Sequence, residues 1–464
     1  MLIRKQQEKG GKEMKFKKIA ALLMAACMAA SLAGCGGGSD SSSSNAGTED
    51  TADADTSGDT DTADAATEDA AGAEEEAPQV APGKKGTIEF WTVFTGADGT
   101  SMQAMVDAYN ATEPDYTVNH RAMEANDLYL KMPLAIQSGE DVPDVCINHV
   151  ERVPLFQEQG FLTDYTGFLD GSEVKAENYN PKAWAMTELD GGHYGVPLDV
   201  HTYVLYANMD LYEKYGNGVL DDGILTWDEV KSVADACVAD EIIPIGMAWL
   251  RVKFLASYAQ LGGTLSTDGN TPDFNNEKAV QVLENWNDIM NSGYGQKEGD
   301  DSWQLFLAGK VLFCPEGIWM YNNVKEAGLN AQMFDYPVFD AGTKGNWTSS
   351  HQFVLPKNDS RDDEKTMAVL DFINFMGNNS LEWAKAGQCP AHVSIKDVAE
   401  FQDMPQAFLA DENDELKIYD YKYYGYAVES LDTVLGEVLW GRTTPQEALD
   451  QAVQETKDKI EMSE

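Results

Sequence analysis

The sequence predicts an α/β protein that folds as two lobes. Strand and helix patterns alternate in the order βαβαβ where the chain first takes on an ordinary globular composition. That part runs from Thr87 to Glu464 and is about 378 residues long, whereas a single hydrophobic core stops growing at roughly 250–300 residues. Its last third carries mainly helix patterns. These observations predict a mostly parallel sheet covered by helices, in a chain divided between two lobes.

The opening βαβαβ unit is predicted from hydrophobic spacing. Apolar residues recur every three to four positions, which places Met102, Met105 and Tyr109 on one helix face. Right-handed crossovers between parallel strands put ligand sites beyond the carboxyl ends of the strands. The five predicted elements are a strand at Thr87–Val93, a helix at Thr100–Tyr109, a strand at Tyr116–Arg121, a helix at Ala125–Ser138 and a strand at Val142–Ile147.

Helix signals dominate the later part of the chain. Thr226 and Glu229 have the spacing of a capping box, in which each side chain bonds the backbone N–H of the other residue. Pro445 is compatible with the first turn of a terminal helix. The further predicted helices are Asn275–Met290, Asp362–Met376 and Thr443–Ile460.

Residues 14–35 have the layout of a bacterial export signal. A lysine-rich flank precedes an uncharged run at Ile19–Leu32, which is too short to span a membrane as a stable helix. The run closes on Leu32-Ala33-Gly34-Cys35, which resembles the lipobox of bacterial lipoproteins. We therefore predict that residues 1–34 are a signal peptide, with Met14 as a candidate start, and that Cys35 is lipidated. The alternative is a plain secretory signal with an incidental cysteine.

Residues 35–86 are predicted to be a lipidated cysteine followed by a disordered acidic linker. Residues 39–78 contain thirteen acids and no base, and they offer almost no large apolar side chain to a core. The chain has a formal net charge of −45. This charge argues against a nucleic-acid partner, because phosphate backbones are bound by Lys and Arg. It also argues against direct adhesion to anionic lipid, so the predicted contact with the membrane is through the lipid anchor.

The cysteines beyond Cys35 are widely spaced. They form no CxxC motif and no Cys/His metal pattern. We expect buried thiols, and pairing in an oxidising exterior is the alternative that the sequence leaves open. These cysteines are Cys146, Cys237, Cys314 and Cys389.

Five short stretches resemble the family of extracellular solute-binding proteins of ABC importers, the group related to maltose-binding protein. Each stretch is a weak signal alone, but their order behind a lipobox and an acidic linker is typical of that family. The stretches are Ile88–Phe94 leading to Ala97-Asp98-Gly99, Pro133–Val145, Tyr194–Asp199 followed by Leu205–Asn208, Gly309-Lys310-Val311 to Gly317-Ile318-Trp319, and Trp383–Pro390.

The resemblance covers residues 87–460 and implies a type II periplasmic-binding-protein-like fold. In that fold two α/β lobes are joined by a hinge of crossing strands, and closure of the hinge clamps a solute between them. The resemblance implies no catalysis and no cofactor, and it implies the transmembrane subunits of an ABC permease as partners. We predict that lobe 1 contains residues 87–198 plus about 311–355, and that lobe 2 contains about 199–310 plus 356–464. From the lipid anchor we predict that the protein lies on the extracellular face of the cytoplasmic membrane of a Gram-positive cell.

The predicted solute is a carbohydrate, with an oligosaccharide as the first expectation. Sugars present hydroxyls around rings with apolar faces, so their sites combine aromatic platforms with planar hydrogen-bonding side chains. The chain contains 10 Trp, 19 Tyr and 17 Phe, and for each one core packing is the competing interpretation. The aromatic candidates, at predicted strand ends or crossings, are Trp91, Phe94, Trp249, Trp303, Trp319 and Trp347.

Polar candidates lie at the same predicted places. His149 ends the third strand, and a carboxylate at Asp199 can accept two sugar hydroxyls. The competing interpretation is a turn residue for Asp98 and a structural hydrogen bond between lobes for Asp199. The polar candidates are Asp98, His149, Asp199, His201, Glu316, Ser350 and His351.

Other functions remain open at this point. A polyamine would suit an acidic, aromatic site. A secreted glycoside hydrolase needs two carboxylates, such as Asp199 and Glu316, although no Gly-x-Ser-x-Gly, HExxH or P-loop pattern occurs. A surface adhesin or sensor subunit would share the fold.

A metal site is a further alternative. Three of the six histidines fall in the predicted crossings, near Asp199 and Glu316. No HxxxH or HxH pair supports such a site, so we predict no metal.

Overall fold

The computed structural model describes residues 80–340, 345–410 and 416–463. The predicted signal peptide, Cys35 and most of the predicted linker lie outside these residues. The strands, in chain order, are β1 (Gly86–Thr92), β2 (Tyr116–Ala122), β3 (Val145–His149), β4 (Glu188–Leu189), β5 (Gly192–His193), β6 (Val196–Pro197), β7 (Asp199–Asn208), β8 (Ile243–Ile245), β9 (Val311–Gly317), β10 (Ala331–Phe334), β11 (Asn346–Ser349), β12 (His351–Val354), β13 (Cys389–Pro390) and β14 (Leu416–Lys417).

Helices alternate with these strands and fill most of the last third, as predicted. Within the described ranges, none is both long enough and apolar enough to cross a membrane. The α-helices are α1 (Ala97–Asn110), α2 (Ala125–Ser138), α3 (Val153–Glu158), α4 (Thr166–Leu169), α5 (Pro181–Ala185), α6 (Met209–Tyr215), α7 (Trp227–Ala239), α8 (Leu250–Gln260), α9 (Glu277–Asn291), α10 (Ser302–Leu307), α11 (Tyr321–Ala327), α12 (Asp363–Asn378), α13 (Leu381–Lys385), α14 (Ala399–Gln402), α15 (Tyr424–Leu439) and α16 (Pro445–Ser463). Single 3₁₀ turns cover Val150–Arg152, Ala176–Asn178, Ile318–Met320, Val393–Ile395 and Ala407–Ala410.

The first lobe is built on a sheet with the strand order β2-β1-β3-β12-β6. Strand β1 is parallel to both β2 and β3, which confirms the predicted βαβαβ unit. Strand β12 joins from far along the chain and runs antiparallel to β3, with His351 opposite His149. Because the parallel strands end at this edge of the sheet, side chains there point toward the other lobe's strands.

The second lobe is built on a sheet with the strand order β14-β11-β7-β9-β8, and β10 and β13 also pair with β7. All ten residues of β7 are buried. The chain passes from β6 in the first sheet to β7 in the second, and it returns from β11 to β12 through Ser350. The first connection lies in the stretch Tyr194–Asp199, where the sequence predicted a crossing. The second lies at Ser350 and not at Gly309–Trp319, which we expected to return the chain to the first lobe.

Separate hydrophobic cores hold the two sheets. In the first lobe, Phe90 and Phe353 pack with Phe372 of α12. In the second, the fully buried side chains of Trp227 and Trp286 belong to one cluster with residues of α15. Burying an aromatic side chain of this size stabilises a fold by about 2–3 kcal/mol.

The predicted capping box begins helix α7. Thr226 Oγ1 accepts a hydrogen bond from the Glu229 backbone N–H at 3.2 Å, and the Glu229 carboxylate accepts one from the Thr226 N–H at 2.8 Å. Such a cap contributes about 1 kcal/mol, because it satisfies N–H groups that the helix leaves without partners.

The predicted division between the lobes needs correction in two places. Residues 311–349, which we assigned to lobe 1, contain β9, β10 and β11, and all three strands pair with β7 of the second sheet. Residues 363–378, which we assigned to lobe 2, form α12 and contribute Phe372 to the core of the first lobe. The hydrophobic pattern of a buried strand or helix does not show which lobe it belongs to. Strand pairing and helix packing decide that.

The four cysteines of the described residues are buried, and no disulfide joins any two of them. This agrees with the expectation of buried thiols. They are Cys146, Cys237, Cys314 and Cys389.

Candidate functional site

Three histidines meet where the two sheets adjoin, and together they are called the histidine cluster here: His149, His201 and His351. Strand register causes the meeting, because His351 lies opposite His149 and Ser349 lies opposite His201. The ring centroids of His201 and His351 are 4.3 Å apart, and those of His149 and His351 are 4.7 Å apart. One ring nitrogen from each of the three residues lies within 4.8 Å of one from each of the others.

Asp199 lies beneath the cluster and is completely buried. Its carboxylate accepts hydrogen bonds from His351 Nδ1 at 2.8 Å and from His201 Nδ1 at 3.0 Å. It also accepts bonds from the His351 backbone N–H at 3.1 Å and from Trp383 Nε1 at 2.7 Å. Burial alone would raise the pKa of Asp199, but His351 and His201 outweigh burial and hold that pKa well below its ordinary value. The buried carboxylate is therefore charged and fully paired.

The Asp199 contacts fix the tautomers of two rings. A carboxylate can only accept hydrogen bonds, so Nδ1 of His201 and of His351 must each carry a hydrogen. In the neutral form of each ring, Nε2 then carries a free lone pair. Burial, followed by the neighbouring His351, lowers the pKa of His201 and of His149. Those two rings are consequently neutral at pH 7.

His149 is held by Tyr129 of helix α2. The Tyr129 hydroxyl contacts His149 Nδ1 and accepts the His149 backbone N–H at 3.1 Å. Arg152 covers the Tyr129 ring, with its guanidinium carbon 4.8 Å from the ring centroid. Burial raises the pKa of Tyr129 to about 12, so this hydroxyl keeps its hydrogen at neutral pH.

Aromatic side chains surround the cluster. Phe94 lies edge-on to His351, with centroids 4.8 Å apart. On the side of the second lobe, Trp319 and Trp347 lie 5.6 Å and 5.7 Å from the His201 ring. Trp347 is fixed because its Nε1 donates to the Tyr424 hydroxyl at 3.3 Å. Trp319 and His149 are partly exposed, so the cluster meets solvent on their side.

Further polar groups tie the lobes together beside the cluster. Ser350 Oγ donates to the Asp199 backbone oxygen at 2.6 Å, and Ser349 Oγ donates to the Glu151 carboxylate at 2.7 Å. Burial raises the pKa of Glu151 to about 7. Arg152 reaches Glu429 of α15 at 3.4 Å. The turn after β3 in the first lobe thus contacts the second lobe at several points.

Several of the predicted residues therefore come together and others do not. Asp98, in the first turn of α1, bonds the Gly99 N–H at 2.8 Å, and burial raises its pKa while nearby His351 opposes that rise. Trp249 lies after β8 at the start of α8, with φ +50° and a residue exposure of 52%. The predicted residues around the cluster are Phe94, Asp98, His149, Asp199, His201, Trp319, Trp347, Ser350 and His351.

Three predicted residues lie in packed interiors away from the cluster. Trp91 packs in the first lobe under Arg121, 5.7 Å from its ring. Trp303 stacks on Phe306 in the second lobe, with centroids 5.4 Å apart. Glu316 is completely buried and accepts the Tyr203 hydroxyl at 3.3 Å, and burial raises its pKa to about 7. For these residues the geometry favours core packing.

We did not predict that Tyr129, Glu151 and Trp383 would lie beside the cluster. Glu151 follows His149 by two positions, so its closeness to a strand end was a usable signal. Tyr129 lies in the helix that follows β2 and Trp383 in a late helix, and no local pattern distinguishes either from a core aromatic.

The family model of the bacterial extracellular solute-binding proteins matches residues 95–381, which is more than half of the chain. The chain belongs to this family. The arabinooligosaccharide-binding protein of Bacillus subtilis is 23% identical over 429 residues, covering 81% of this chain and 94% of that one. The maltodextrin-binding protein MdxE of the same organism is 27% identical over 266 residues, covering 53% of this chain and 61% of that one.

Solved structures agree on the fold. The GacH receptor of Streptomyces glaucescens, solved unliganded and with acarbose, superposes with a TM-score of 0.68 at 21% identity, covering 81% of this chain and 97% of that one. Maltose-bound MalE3 of T. maritima superposes with a TM-score of 0.69 at 20% identity, covering 80% and 99%. The chain therefore has the two-lobed type II fold that the sequence predicted.

Proposed function

We propose that this solute-binding protein captures a carbohydrate, first of all an oligosaccharide, between its lobes and delivers it to an ABC permease. The observation that carries the proposal is the set of aromatic and polar side chains around His201. The partly exposed Trp319 offers an apolar face to a sugar ring, the buried Trp347 packs against His201, and the histidine cluster offers ring nitrogens to sugar hydroxyls.

Capture would proceed by hinge closure. The cluster draws His149 and His351 from the first sheet and His201 from the second, so a solute bound there contacts both lobes. A solute that touches both lobes stabilises the closed form, because its contacts are complete only in that form. The permease would recognise the closed form, and no bond in the solute would change.

The relatives support the choice of solute. Proteins named for binding arabino-oligosaccharides and maltodextrins resemble the chain in sequence, and receptors solved with acarbose or maltose resemble it in fold. We infer an oligosaccharide rather than a monosaccharide from the names of these relatives.

The acids that a polyamine or a glycosidase would need are poorly placed. Asp199 and Glu316 are both completely buried. Four donors of the protein already bond Asp199, and Glu316 lies beside the buried Lys253. These observations favour carbohydrate binding over cation binding and over catalysis by this pair of carboxylates.

We further propose that Cys35 carries the lipid anchor and holds the receptor on the extracellular face of a Gram-positive membrane. The acidic residues 36–86 would give it reach. Tethering raises the effective concentration of the receptor near its permease. Replacing Cys35 by Ala should release the protein into the medium and abolish labelling by radioactive palmitate. Retention of both membrane association and label would contradict the anchor.

A ligand screen tests the proposed function. The chain from Gly36 to Glu464 would be heated with maltodextrins, arabino-oligosaccharides, monosaccharides, amino acids and spermidine in turn. A ligand at 100 times its Kd adds about 2.7 kcal/mol to the free energy of unfolding, so the correct sugar should raise Tm by several degrees. The sugar should be recovered intact by chromatography. A rise in Tm with spermidine alone, or hydrolysis of the sugar, would contradict the proposal.

A further inference from the structure

The histidine cluster has a feature that carbohydrate binding does not require. Three imidazoles from separate strands converge, although their positions in the sequence share no metal-binding spacing. One nitrogen from each ring lies within 4.8 Å of one nitrogen from each of the other two. Three histidines with one open position form a common protein site for zinc-class ions.

We propose that His149, His201 and His351 bind one divalent transition-metal ion of the zinc class, with Asp199 orienting two of the three rings. This inference goes beyond solute capture and does not depend on it.

The distances allow this site with small movements. A point equidistant from three atoms that are 4.8 Å apart lies about 2.8 Å from each one, whereas Zn–N bonds are about 2.0–2.1 Å long. Each ring therefore has to move inward by roughly 0.8 Å. Rotation about side-chain bonds provides a displacement of this size without movement of the strands.

The hydrogen bonds around the rings are those that metal-bound histidines need. Nδ1 of His201 and of His351 donates to Asp199, which leaves Nε2 of each ring with the lone pair. Metal-bound histidines commonly donate their second ring nitrogen to a carboxylate, which fixes the ring and makes it a stronger ligand. Asp199 occupies this position for two ligands at once.

The third ring has an equivalent support. The Tyr129 hydroxyl contacts His149 Nδ1 and accepts the His149 backbone N–H. An hydroxyl oxygen has two lone pairs, so it can accept the Nδ1 hydrogen as well. Nε2 of His149 is then the ligand atom. Among the described residues, no side chain or backbone group bonds Nε2 of any of the three rings.

The ligand chemistry selects the kind of ion. Neutral imidazoles suit zinc, copper, nickel and cobalt, whereas magnesium and calcium prefer carboxylate and carbonyl oxygens. Three ligands leave a fourth position open. His149 and Trp319 are partly exposed, so this position faces the side from which a solute or water arrives.

Metal titration without sugar tests the inference. The Gly36–Glu464 chain would be stripped with EDTA, dialysed, and titrated with ZnCl₂ by calorimetry and with CoCl₂ by visible absorption. Excess MgCl₂ would occupy the many surface carboxylates. The expected result is saturation at one ion per chain, with the intense visible band of four- or five-coordinate cobalt. Absence of a saturable zinc signal or of this band would overturn the proposal.

Variants distinguish zinc binding at the histidine cluster from adventitious zinc binding elsewhere on the chain. His201→Ala and His351→Ala should each weaken zinc binding by roughly 100-fold or more, and Asp199→Asn by about 10–100-fold. His193→Ala is the matched control, because His193 is a buried histidine of the first lobe outside the cluster. It should change the affinity by less than about twofold.

Folding is checked by circular dichroism, because His201 and His351 are buried. If those variants do not fold, His149→Ala carries the test, since the His149 ring is partly exposed. Equal zinc affinity in the wild type and a folded His149→Ala variant would overturn the proposal. A His193→Ala variant that loses as much affinity as His149→Ala would overturn it as well.

Discussion

Asp199 and His351 are joined twice, once through the side chain and once through the backbone. His351 Nδ1 donates to the Asp199 carboxylate at 2.8 Å, and the His351 backbone N–H donates to it at 3.1 Å. Asp199 begins the strand that enters the second lobe, and His351 begins the strand that re-enters the first. A buried charge therefore joins the two crossing strands directly at the hinge.

Replacing Asp199 by Asn should destabilise the protein strongly. An amide cannot accept all four donors that now bond the carboxylate, and its own NH₂ group would face N–H donors. We expect a loss of roughly 3–5 kcal/mol in the free energy of unfolding, measured by urea denaturation. Asp127→Asn is the control at an exposed carboxylate, and it should stay within about 0.5 kcal/mol of the wild type. Equal effects of the two changes would contradict the role of Asp199.

Trp319 and Trp303 should respond to Ala in opposite ways. Trp319 is partly exposed beside His201, whereas Trp303 is buried on Phe306. Trp319→Ala should weaken sugar binding by at least roughly tenfold with a small stability loss, since stacking on a sugar face is lost. Trp303→Ala should cost about 3–5 kcal/mol of stability. Calorimetric titration and urea denaturation of both variants separate the outcomes. Equal stability losses in the two variants would show that Trp319 is a core residue and not a platform for the sugar.

Glu316 should make the protein less stable as pH rises. Burial raises its pKa from 4.5 to about 7, so the folded state holds a proton that the unfolded state has released. The contribution is complete below pH 4.5 and is lost as pH rises to about 7, by roughly 3 kcal/mol. Glu316→Gln should remove this part of the difference between pH 4.5 and pH 7.5, whereas Glu140→Gln at an exposed site should not. Urea denaturation at both pH values checks this. The prediction is refuted if Glu316→Gln and the wild type show the same change in the free energy of unfolding between the two pH values.

Two glycines of helix α15 should behave differently when replaced by Ala. A Cβ at Gly425 would collide with the Arg152 guanidinium, whereas a Cβ at Gly436 meets no atom within 4 Å. Gly425→Ala should push Arg152 from Tyr129 and Glu429, disturb the contact between lobes and weaken solute binding roughly three- to tenfold. Gly436→Ala should leave affinity unchanged and stabilise the helix by about 0.5–1 kcal/mol. Calorimetry distinguishes them, and equal affinities would argue against the Arg152 contact.

The first part of the fold was predictable because its strands and helices follow the hydrophobic pattern of neighbouring residues. Strands β1 to β3 and their helices follow hydrophobic periodicity and short connections, and the capping box at Thr226 is a purely local signal. Strand β9 was assigned to the wrong lobe because its buried residues fit either sheet. Only its pairing with β7 and β8 decides the question.

The site was only partly predictable for the same reason. His149 and His351 are neighbours through the pairing of β3 with β12, which joins residues about two hundred positions apart, so no spacing rule reveals the cluster. Trp91 shows a different failure. Phe90 and Trp91 are adjacent and point to opposite faces of one strand, into separate clusters. That alternation was visible, but helices α1 and α12 cover the face of Phe90 and helix α2 covers the face of Trp91, so both residues are buried.

Calorimetric titration of the Gly36–Glu464 chain with maltodextrins and arabino-oligosaccharides, followed by chromatography of the recovered sugar, tests the central claim most directly. Capture between the lobes predicts saturation at one oligosaccharide per chain, with the sugar unchanged and with binding weakened in Trp319→Ala. No saturable heat with any oligosaccharide, or cleavage of the sugar that does bind, would contradict the account.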